Sequence, residues 1–171
     1  VTERKNPKII IESLETIDGN VSLEIIGQTP NLKYLKELNN LISSSKHAEN
    51  ITMTPFIKAE ELISKYSSAN LFILPSKSEG LGRVIIEAQS TACPVLVSSN
   101  TGMVDLIIEN ETGYIFENNN KNDLSNKIQH IMNNYESALQ TGLNSKDFVK
   151  ENQSVANFEF GYKKLIDLVS T

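Results

Sequence analysis

The sequence predicts a Rossmann-like α/β fold, with a parallel sheet between two layers of helices in a three-layer α/β/α arrangement. Over the first two thirds of the chain, short apolar strands alternate with amphipathic helices. One apolar run, at 71–74, ends at Pro75, as expected of a fully buried strand. Strands separated by helices are joined by right-handed crossovers, which make the sheet parallel. A binding site is therefore expected in the loops that follow the carboxyl ends of the strands.

The hydrophobic periodicity places the individual elements along the chain. The expected strands are 21–26, 51–53, 71–74, 95–97 and 114–116. The expected helices are 7–16, 30–42, 60–66, 82–91 and 102–109, followed by a helical pattern from Asp123 to the end. Asn6 and Pro7 suit the cap and first position of the first helix. Near the C-terminus, an apolar stripe is expected to be core, formed by Phe158, Tyr162, Leu165 and Ile166.

The length and composition are those of one globular domain spanning residues 1–171, of which 39% are apolar. The net charge of −5 and the lack of a dense Lys/Arg cluster argue against nucleic-acid binding. Cys93 is the only cysteine and is expected to be a buried core residue, and two isolated histidines make a zinc site unexpected. No apolar run reaches the roughly 18 residues of a membrane-spanning helix. We expect a cytoplasmic protein, with peripheral membrane association left open.

A strand–turn–helix segment at 75–87 carries the chemistry. Gly80 and Gly82 are expected to allow a tight turn, after which the first N–H groups of a helix form an anion site that suits a diphosphate. Arg83 can add positive charge. The alternative is that the glycines only make a turn. A nicotinamide-cofactor site is disfavoured because its third glycine would fall at position 85, which is Ile85.

Two carboxylates, Glu79 and Glu87, flank this turn with seven residues between them. The two carboxylates could face one ligand from opposite ends of its phosphates, and a carboxylate can accept two hydrogen bonds from a vicinal diol such as that of a ribose. Alternatively, Glu79 favours the helix N-terminus electrostatically and Glu87 is merely solvated. The spacing alone leaves both interpretations open.

Several motifs in order resemble the large GT-B family of retaining, nucleotide-sugar glycosyltransferases. The central match is Ser78 to Ala88, SEGLGRVIIEA, followed by Ala92-Cys93-Pro94-Val95. Further matches are Glu24 to Gly27, Ala69 to Ser76, Thr101-Gly102, Asp105 and Asn110 to Gly113. The resemblance covers almost the whole chain. Departures from the family pattern are Thr29, Pro55 and Val104-Asp105.

The resemblance implies a role for each matching residue. Glu79 would contact the donor sugar and act in turnover, and Glu87 would bind the ribose hydroxyls. The donor-binding set as a whole would be Lys5, Gly27, Met53, Phe56, Ile57, Gly80, Leu81, Gly82, Arg83 and Glu87. Of these, Lys5 and the turn amides would hold the diphosphate, and the segment from Met53 to Ile57 would lie near the base. The family's companion arginine would lie just before Val1, as would the strand expected before the first helix. No metal or cofactor is implied.

The implied reaction moves a sugar from a UDP- or GDP-sugar to a hydroxyl, as in synthesis of bacterial capsule or lipopolysaccharide chains. On this resemblance the chain is the C-terminal half of a two-domain enzyme, and an N-terminal domain supplies the acceptor site. The isolated chain is then expected to bind nucleotide weakly and to transfer no sugar. Two alternatives are a sugar-nucleotide 2-epimerase-like domain, whose signatures differ from residues 79–87, and a non-catalytic nucleotide-sugar-binding module.

Overall fold

The computed structural model describes residues 1–80 and 82–152, which form five strands and six α-helices. The strands are β1 (Leu23–Ile26), β2 (Ile51–Thr54), β3 (Phe72–Leu74), β4 (Val95–Ser98) and β5 (Tyr114–Phe116). The helices are α1 (Pro7–Leu14), α2 (Leu32–Ser44), α3 (Ala59–Ser68), α4 (Arg83–Ser90), α5 (Lys121–Asn133) and α6 (Tyr135–Asn152). Single short 3-10 turns lie at 48–50 and 104–106.

All strand pairs are parallel, as the alternation of strands and helices predicts. β1 pairs with β2, and β4 lies between β3 and β5, so the hydrogen bonds define a two-stranded and a three-stranded section. The two sections share one core cluster, in which Ile25 and Ile51 join Leu96 and Phe116 under α1 and α5. The predicted α/β class is confirmed.

Helices cover both faces of β4, and its side chains show this by alternating between two cores. Leu96 belongs to the cluster under α1 and α5. Val95 and Val97 belong to a second cluster, which includes Tyr66 of α3 and Ile85 of α4. All four residues of β4 are buried, which explains why its first three are apolar. The arrangement is the expected three-layer one.

The structure corrects three local predictions. Asn6 does not cap α1 with its side chain: its φ is 49°, and its amide faces Asn119 at 3.5 Å. The helix expected at 102–109 is only a 3-10 turn, because the Ile108 N–H donates to the Thr112 hydroxyl at 2.8 Å instead of continuing the helix. The helical pattern after Asp123 is broken at Asn134, whose N–H closes α5 on the His130 and Ile131 carbonyls.

The first residues of the chain lie across the carboxyl ends of two strands. The Val1 ammonium donates to the carbonyl of Gln28, just after β1. The Lys77 N–H, just after β3, donates to the Arg4 carbonyl at 2.8 Å. These contacts fix the segment that precedes α1, and they place Lys5 at the sheet edge where a binding site is expected.

Cys93 is buried between α4 and β4, as predicted. Burial raises the pKa of its thiol to about 11, so the thiolate is scarce at neutral pH. The interpretation as a structural residue therefore holds.

The apolar stripe expected at Phe158 to Ile166 lies outside the described residues. Within the part of the chain that is described, no helix combines the length and apolar character needed to cross a membrane.

Candidate functional site

Three segments meet at the carboxyl ends of β3 and β4. They are the start of the chain, the loop between β3 and α4, and Thr101-Gly102 after β4. Glu79 and Thr101 form an isolated parallel bridge, closed by the hydrogen bond from Gly102. Ser76, the second residue after β3, is fully buried beneath this junction. The loop that carries Glu79 is thus held by backbone contacts on both sides.

A cluster of opposite charges is centred on Glu79. Its carboxylate forms an ion pair and hydrogen bond with the Lys5 ammonium, and Arg4 Nη1 lies 3.6 Å from Glu79 Oε2. The Ser76 hydroxyl donates to the same oxygen at 3.3 Å, and Arg4 also donates to the Ser78 carbonyl at 2.9 Å. The Glu79 side chain is only 12% exposed, whereas that of Arg4 is 53% exposed. Two predicted site residues far apart in sequence, Lys5 and Glu79, are therefore in direct contact.

The charge cluster controls the pKa of Glu79. Burial would raise this pKa, but the hydrogen bond and charge of Lys5, the charge of Arg4 and the Ser76 hydroxyl together hold it below its ordinary value. Glu79 is therefore ionised at neutral pH. Because its folded-state pKa is lowered, its contribution to stability is present at neutral pH and is lost as pH falls through that lowered pKa.

In a Lys5→Ala variant, the pKa of Glu79 is expected to rise, because burial then acts against fewer opposing contacts. Titration of the Glu79 side-chain carboxyl by ¹³C NMR measures this directly. Lys8→Ala is the matched control, since Lys8 pairs with Glu37 rather than with Glu79. Equal Glu79 pKa values in the wild type and the Lys5 variant would disprove the coupling.

α4 begins directly after Gly82, and the tightest contact of a glycine near this helix is at Gly102, outside the predicted turn. Gly82 precedes the first helical residue, Arg83, whose side chain is exposed; Leu81 lies outside the described residues. A Cβ on Gly80 would have no described neighbour within 4 Å, so the expected conformational demand on Gly80 is not there. A Cβ on Gly102 would lie 1.8 Å from the Gly80 carbonyl oxygen. The close backbone approach thus requires glycine at 102.

Glu87 lies in α4 and is exposed. The Tyr66 hydroxyl donates to Glu87 Oε2 at a long 3.4 Å. Burial, together with the Glu87 charge, raises the pKa of Tyr66, which therefore stays a neutral donor. Glu79 and Glu87 have different partners in the described part of the chain, and most of the Glu87 carboxylate is available to a ligand.

A cavity of about 500 Å³ lies beside the loop after β1. Gly27 and Met53, two predicted donor-binding residues, line it together with Leu35 and Asn39 of α2. The other lining residues are Gln28, Thr29, Pro30 and Pro55. The structure therefore brings Gly27 and Met53 together, but it places them apart from the charge cluster of Lys5 and Glu79.

Val1 connects these two parts of the candidate site. A Cβ on Gly27 would lie 3.1 Å from a Val1 methyl group, and the φ of Gly27 is 139°, a conformation suited to glycine. Phe56 is 72% exposed and Ile57 is half-buried, and neither lines the cavity. The side chain of Phe56 is thus an exposed aromatic surface at the same sheet edge.

Two residues at the site were not assigned roles from the sequence. Arg4 could have been found from its position next to Lys5, although only the structure shows its guanidinium beside Glu79. Thr101 is 2% exposed, and its hydroxyl has no hydrogen-bond partner among the described residues. Its methyl group would lie 3.3 Å from a Cβ on Gly82, so it borders the turn.

Within residues 1–80 and 82–152, no group of three or more His, Cys, Asp or Glu side chains is arranged to hold a metal ion.

The fold is that of the GT-B glycosyltransferases. The chain superposes on a structure of Anabaena HepE, solved in complex with UDP and glucose, with a TM-score of 0.88 at 19% identity. The match covers 100% of this chain and 46% of the HepE chain. The family model described as glycosyl transferases group 1 matches residues 1–148. This chain belongs to the group 1 glycosyltransferase family.

Two curated relatives support the same assignment. An uncharacterized glycosyltransferase of Methanocaldococcus jannaschii is 31% identical over 150 residues, which cover 86% of this chain and 40% of the relative. The capsular polysaccharide biosynthesis glycosyltransferase CapM of Staphylococcus aureus is 32% identical over 117 residues, covering 67% of this chain and 29% of CapM. The chain thus matches less than half the length of either relative.

Proposed function

We propose that this chain is the donor-binding domain of a retaining glycosyltransferase, which moves a sugar from a UDP- or GDP-sugar to a hydroxyl acceptor. The observation that carries the proposal is the cluster of Lys5, Arg4 and Glu79 beside the start of α4. It lies at the carboxyl ends of parallel strands, where α/β folds bind nucleotides. The similarity to a structure solved with UDP and glucose supports a nucleotide-sugar donor.

The donor diphosphate is assigned to Lys5 and to the backbone N–H groups of the turn from Gly80 to Arg83. The first N–H groups of α4 have no partners within the helix, and the helix dipole favours an anion there. A phosphate at this point would either share the Lys5 ammonium with the Glu79 carboxylate or displace that carboxylate from it. Arg4, whose guanidinium lies beside Glu79, supplies a second cation. With two cations and a helix N-terminus present, the proposal includes no metal or cofactor.

The nucleoside is assigned to the other two parts of the site. The largely free carboxylate of Glu87 can accept hydrogen bonds from the two ribose hydroxyls. The base is assigned to the cavity at Gly27 and Met53 and to the adjoining segment with Phe56 and Ile57, which offers apolar surface and backbone polar groups. This places the parts of one ligand along a single sheet edge.

In the proposed reaction, the bond between the anomeric carbon of the donor sugar and the diphosphate oxygen breaks. A bond between the anomeric carbon and the acceptor oxygen forms on the same face, and the acceptor proton passes to the leaving diphosphate. Lys5, Arg4 and the α4 N-terminus stabilise the negative charge that develops on the leaving group. Glu79, ionised and held by its neighbours, positions the sugar.

The acceptor site and the rest of the reaction machinery are assigned to an N-terminal domain of the whole protein. Closure of a cleft between the two domains would exclude water from the reacting sugar. The similarity to CapM supports a role in bacterial surface polysaccharide or glycolipid synthesis. Such a role places the enzyme in the cytoplasm, at the inner face of the membrane.

Glu87→Ala is expected to weaken nucleotide binding by roughly 10- to 100-fold, because a charge-assisted hydrogen bond contributes about 1.5–3 kcal/mol. Thermal stability should hardly change, since the side chain is exposed and has one long hydrogen bond. Titration calorimetry with UDP and GDP measures the affinity. Tyr66→Phe is the control: it removes that hydrogen bond, keeps the carboxylate and should leave affinity nearly unchanged. If Glu87→Ala binds both nucleotides like the wild type, Glu87 is only a solvated surface residue.

A further inference from the structure

A second cleft, of about 310 Å³, has a mostly polar lining that includes none of Arg4, Lys5 and Glu79. It is bordered by the starts of α1 and α5 and by the loop after β3. Its polar lining residues are Asn6, Lys8, Glu12, Lys77, Asn119 and Lys121. Three lysines and one glutamate give the lining a net charge of +2, in a chain whose net charge is −5. The cleft therefore offers local attraction to an anion.

Two of these lysines are not neutralised by the protein. Lys8 is paired with Glu37 at 2.7 Å and lies 4.0 Å from Glu12. In residues 1–80 and 82–152, by contrast, the ammonium groups of Lys77 and Lys121 have neither an ion-pair nor a hydrogen-bond partner. Unpaired ammonium groups facing one cleft repel each other, and a bound anion would remove that repulsion.

The backbone around the cleft is held in place. The Lys77 N–H donates to the Arg4 carbonyl at 2.8 Å, and the Ser13 hydroxyl donates to the Lys121 carbonyl at 3.1 Å. Asn6 and Asn119 both have left-handed backbone conformations, with φ values of 49° and 60°. Asn6 is only 6% exposed, and its amide, which caps no helix, lies against the Asn119 amide. Asparagine adopts this conformation more readily than most residues, so the two turns hold both amides at the cleft.

We propose that this cleft binds a phosphate group, with Lys77 and Lys121 as its charged ligands and the Asn6 and Asn119 amides as hydrogen-bonding groups. Ammonium groups act as point-charge partners of phosphate, and the N-terminal ends of α1 and α5 add favourable dipoles. The site is distinct from the proposed donor diphosphate site, because its lining includes neither Lys5 nor any residue of α4. The phosphate belongs either to a soluble molecule or to a lipid headgroup. The proposal does not depend on the donor assignment.

The test follows backbone amide NMR shifts while inorganic phosphate is added. Local readouts separate the two sites: shifts at Lys121 and Asn122 report the cleft, and shifts at Arg83 and Val84 report the start of α4. A parallel arm measures co-sedimentation with phosphatidylcholine vesicles, with and without phosphatidylglycerol. The test variant is Lys77→Ala/Lys121→Ala. Its control, Lys36→Ala/Lys146→Ala, removes the same charge from exposed positions on α2 and α6.

We expect at least one probe to bind to the wild type, with about a 10-fold or greater loss in the test variant and little change in the control. Saturable shifts at Lys121 with inorganic phosphate identify a soluble phosphate group, and binding only to phosphatidylglycerol vesicles identifies a lipid headgroup. Glu12→Gln, which removes the carboxylate from the lining, should strengthen binding, a gain that misfolding cannot mimic. The proposal is overturned if neither probe binds, or if the two double variants lose binding equally.

Discussion

Glu79→Gln is expected to lower turnover of the whole enzyme about 100-fold, while nucleotide affinity stays constant or rises. Misplacement of a reacting group by about 1 Å can cost this factor, and Glu79 is assigned to positioning the donor sugar. The amide also releases Lys5 from its ion pair, which leaves its full charge for the diphosphate. An interaction made mainly in the transition state is lost from turnover and not from ground-state binding.

Ser76→Ala is the matched control for this prediction. It removes one 3.3 Å hydrogen bond to the Glu79 carboxylate but leaves the charge and the Lys5 contact in place. Turnover should therefore fall less than 10-fold, since a typical hydrogen bond contributes about 0.5–1.5 kcal/mol. Turnover with the donor sugar and calorimetric titration with UDP and GDP are measured on both variants. A Glu79→Gln enzyme that loses nucleotide affinity as steeply as turnover would assign Glu79 to the nucleotide instead.

Gly102→Ala is expected to destabilise the chain by about 3 kcal/mol and to abolish nucleotide binding. The new Cβ would lie 1.8 Å from the Gly80 carbonyl oxygen and 2.8 Å from that of Glu79. Both obstacles are backbone atoms, so the loop carrying Glu79 must move as a whole. For a chain of this size, the melting temperature should drop by about 6–12 °C. Thermal unfolding followed by circular dichroism measures the drop.

Gly80→Ala is the control on the other side of the same contact. A Cβ at Gly80 has no described neighbour within 4 Å, so the melting temperature should change by less than about 2 °C. The sequence motif predicts the conformational constraint at Gly80, whereas in the structure the close backbone contact requires glycine at Gly102. Equal destabilisation by the two substitutions would contradict the backbone contact.

The order of strands and helices could be predicted from the sequence, because the main pattern in it is the alternation of buried strands and amphipathic helices. All five expected strands form, and the first three residues of β4 are apolar because cores lie on both of its faces. The predictions that were wrong depend on tertiary contacts. At 102–109 only a 3-10 turn forms, because the Ile108 N–H donates to the Thr112 hydroxyl and Gly102 is held against the Glu79 carbonyl. Asn6 turns towards Asn119 instead of capping α1. The helix propensity of a segment depends on its own residues and does not reveal these hydrogen-bond partners.

The candidate site was predictable as a set of residues but not as an arrangement. The family resemblance singled out Lys5 and Glu79, but the ion pair between them joins positions 74 residues apart. Arg4 enters the site because the chain start lies across the ends of β1 and β3, which only the fold determines. The separation of the Gly27–Met53 cavity from the charge cluster is likewise a property of the folded sheet edge.

Calorimetric titration of the 171-residue chain with UDP, GDP and ADP tests the central proposal most directly. We expect saturable 1:1 binding of UDP or GDP with a Kd near 0.1 mM, a weak affinity that follows from the proposal that an N-terminal domain completes the site. Lys5→Ala should weaken this binding at least about 10-fold, and Lys36→Ala, an exposed control on α2, should leave it unchanged. Absence of saturable binding to all three nucleotides, or equal affinities in the wild type and Lys5→Ala, would contradict the assignment of a donor-binding domain.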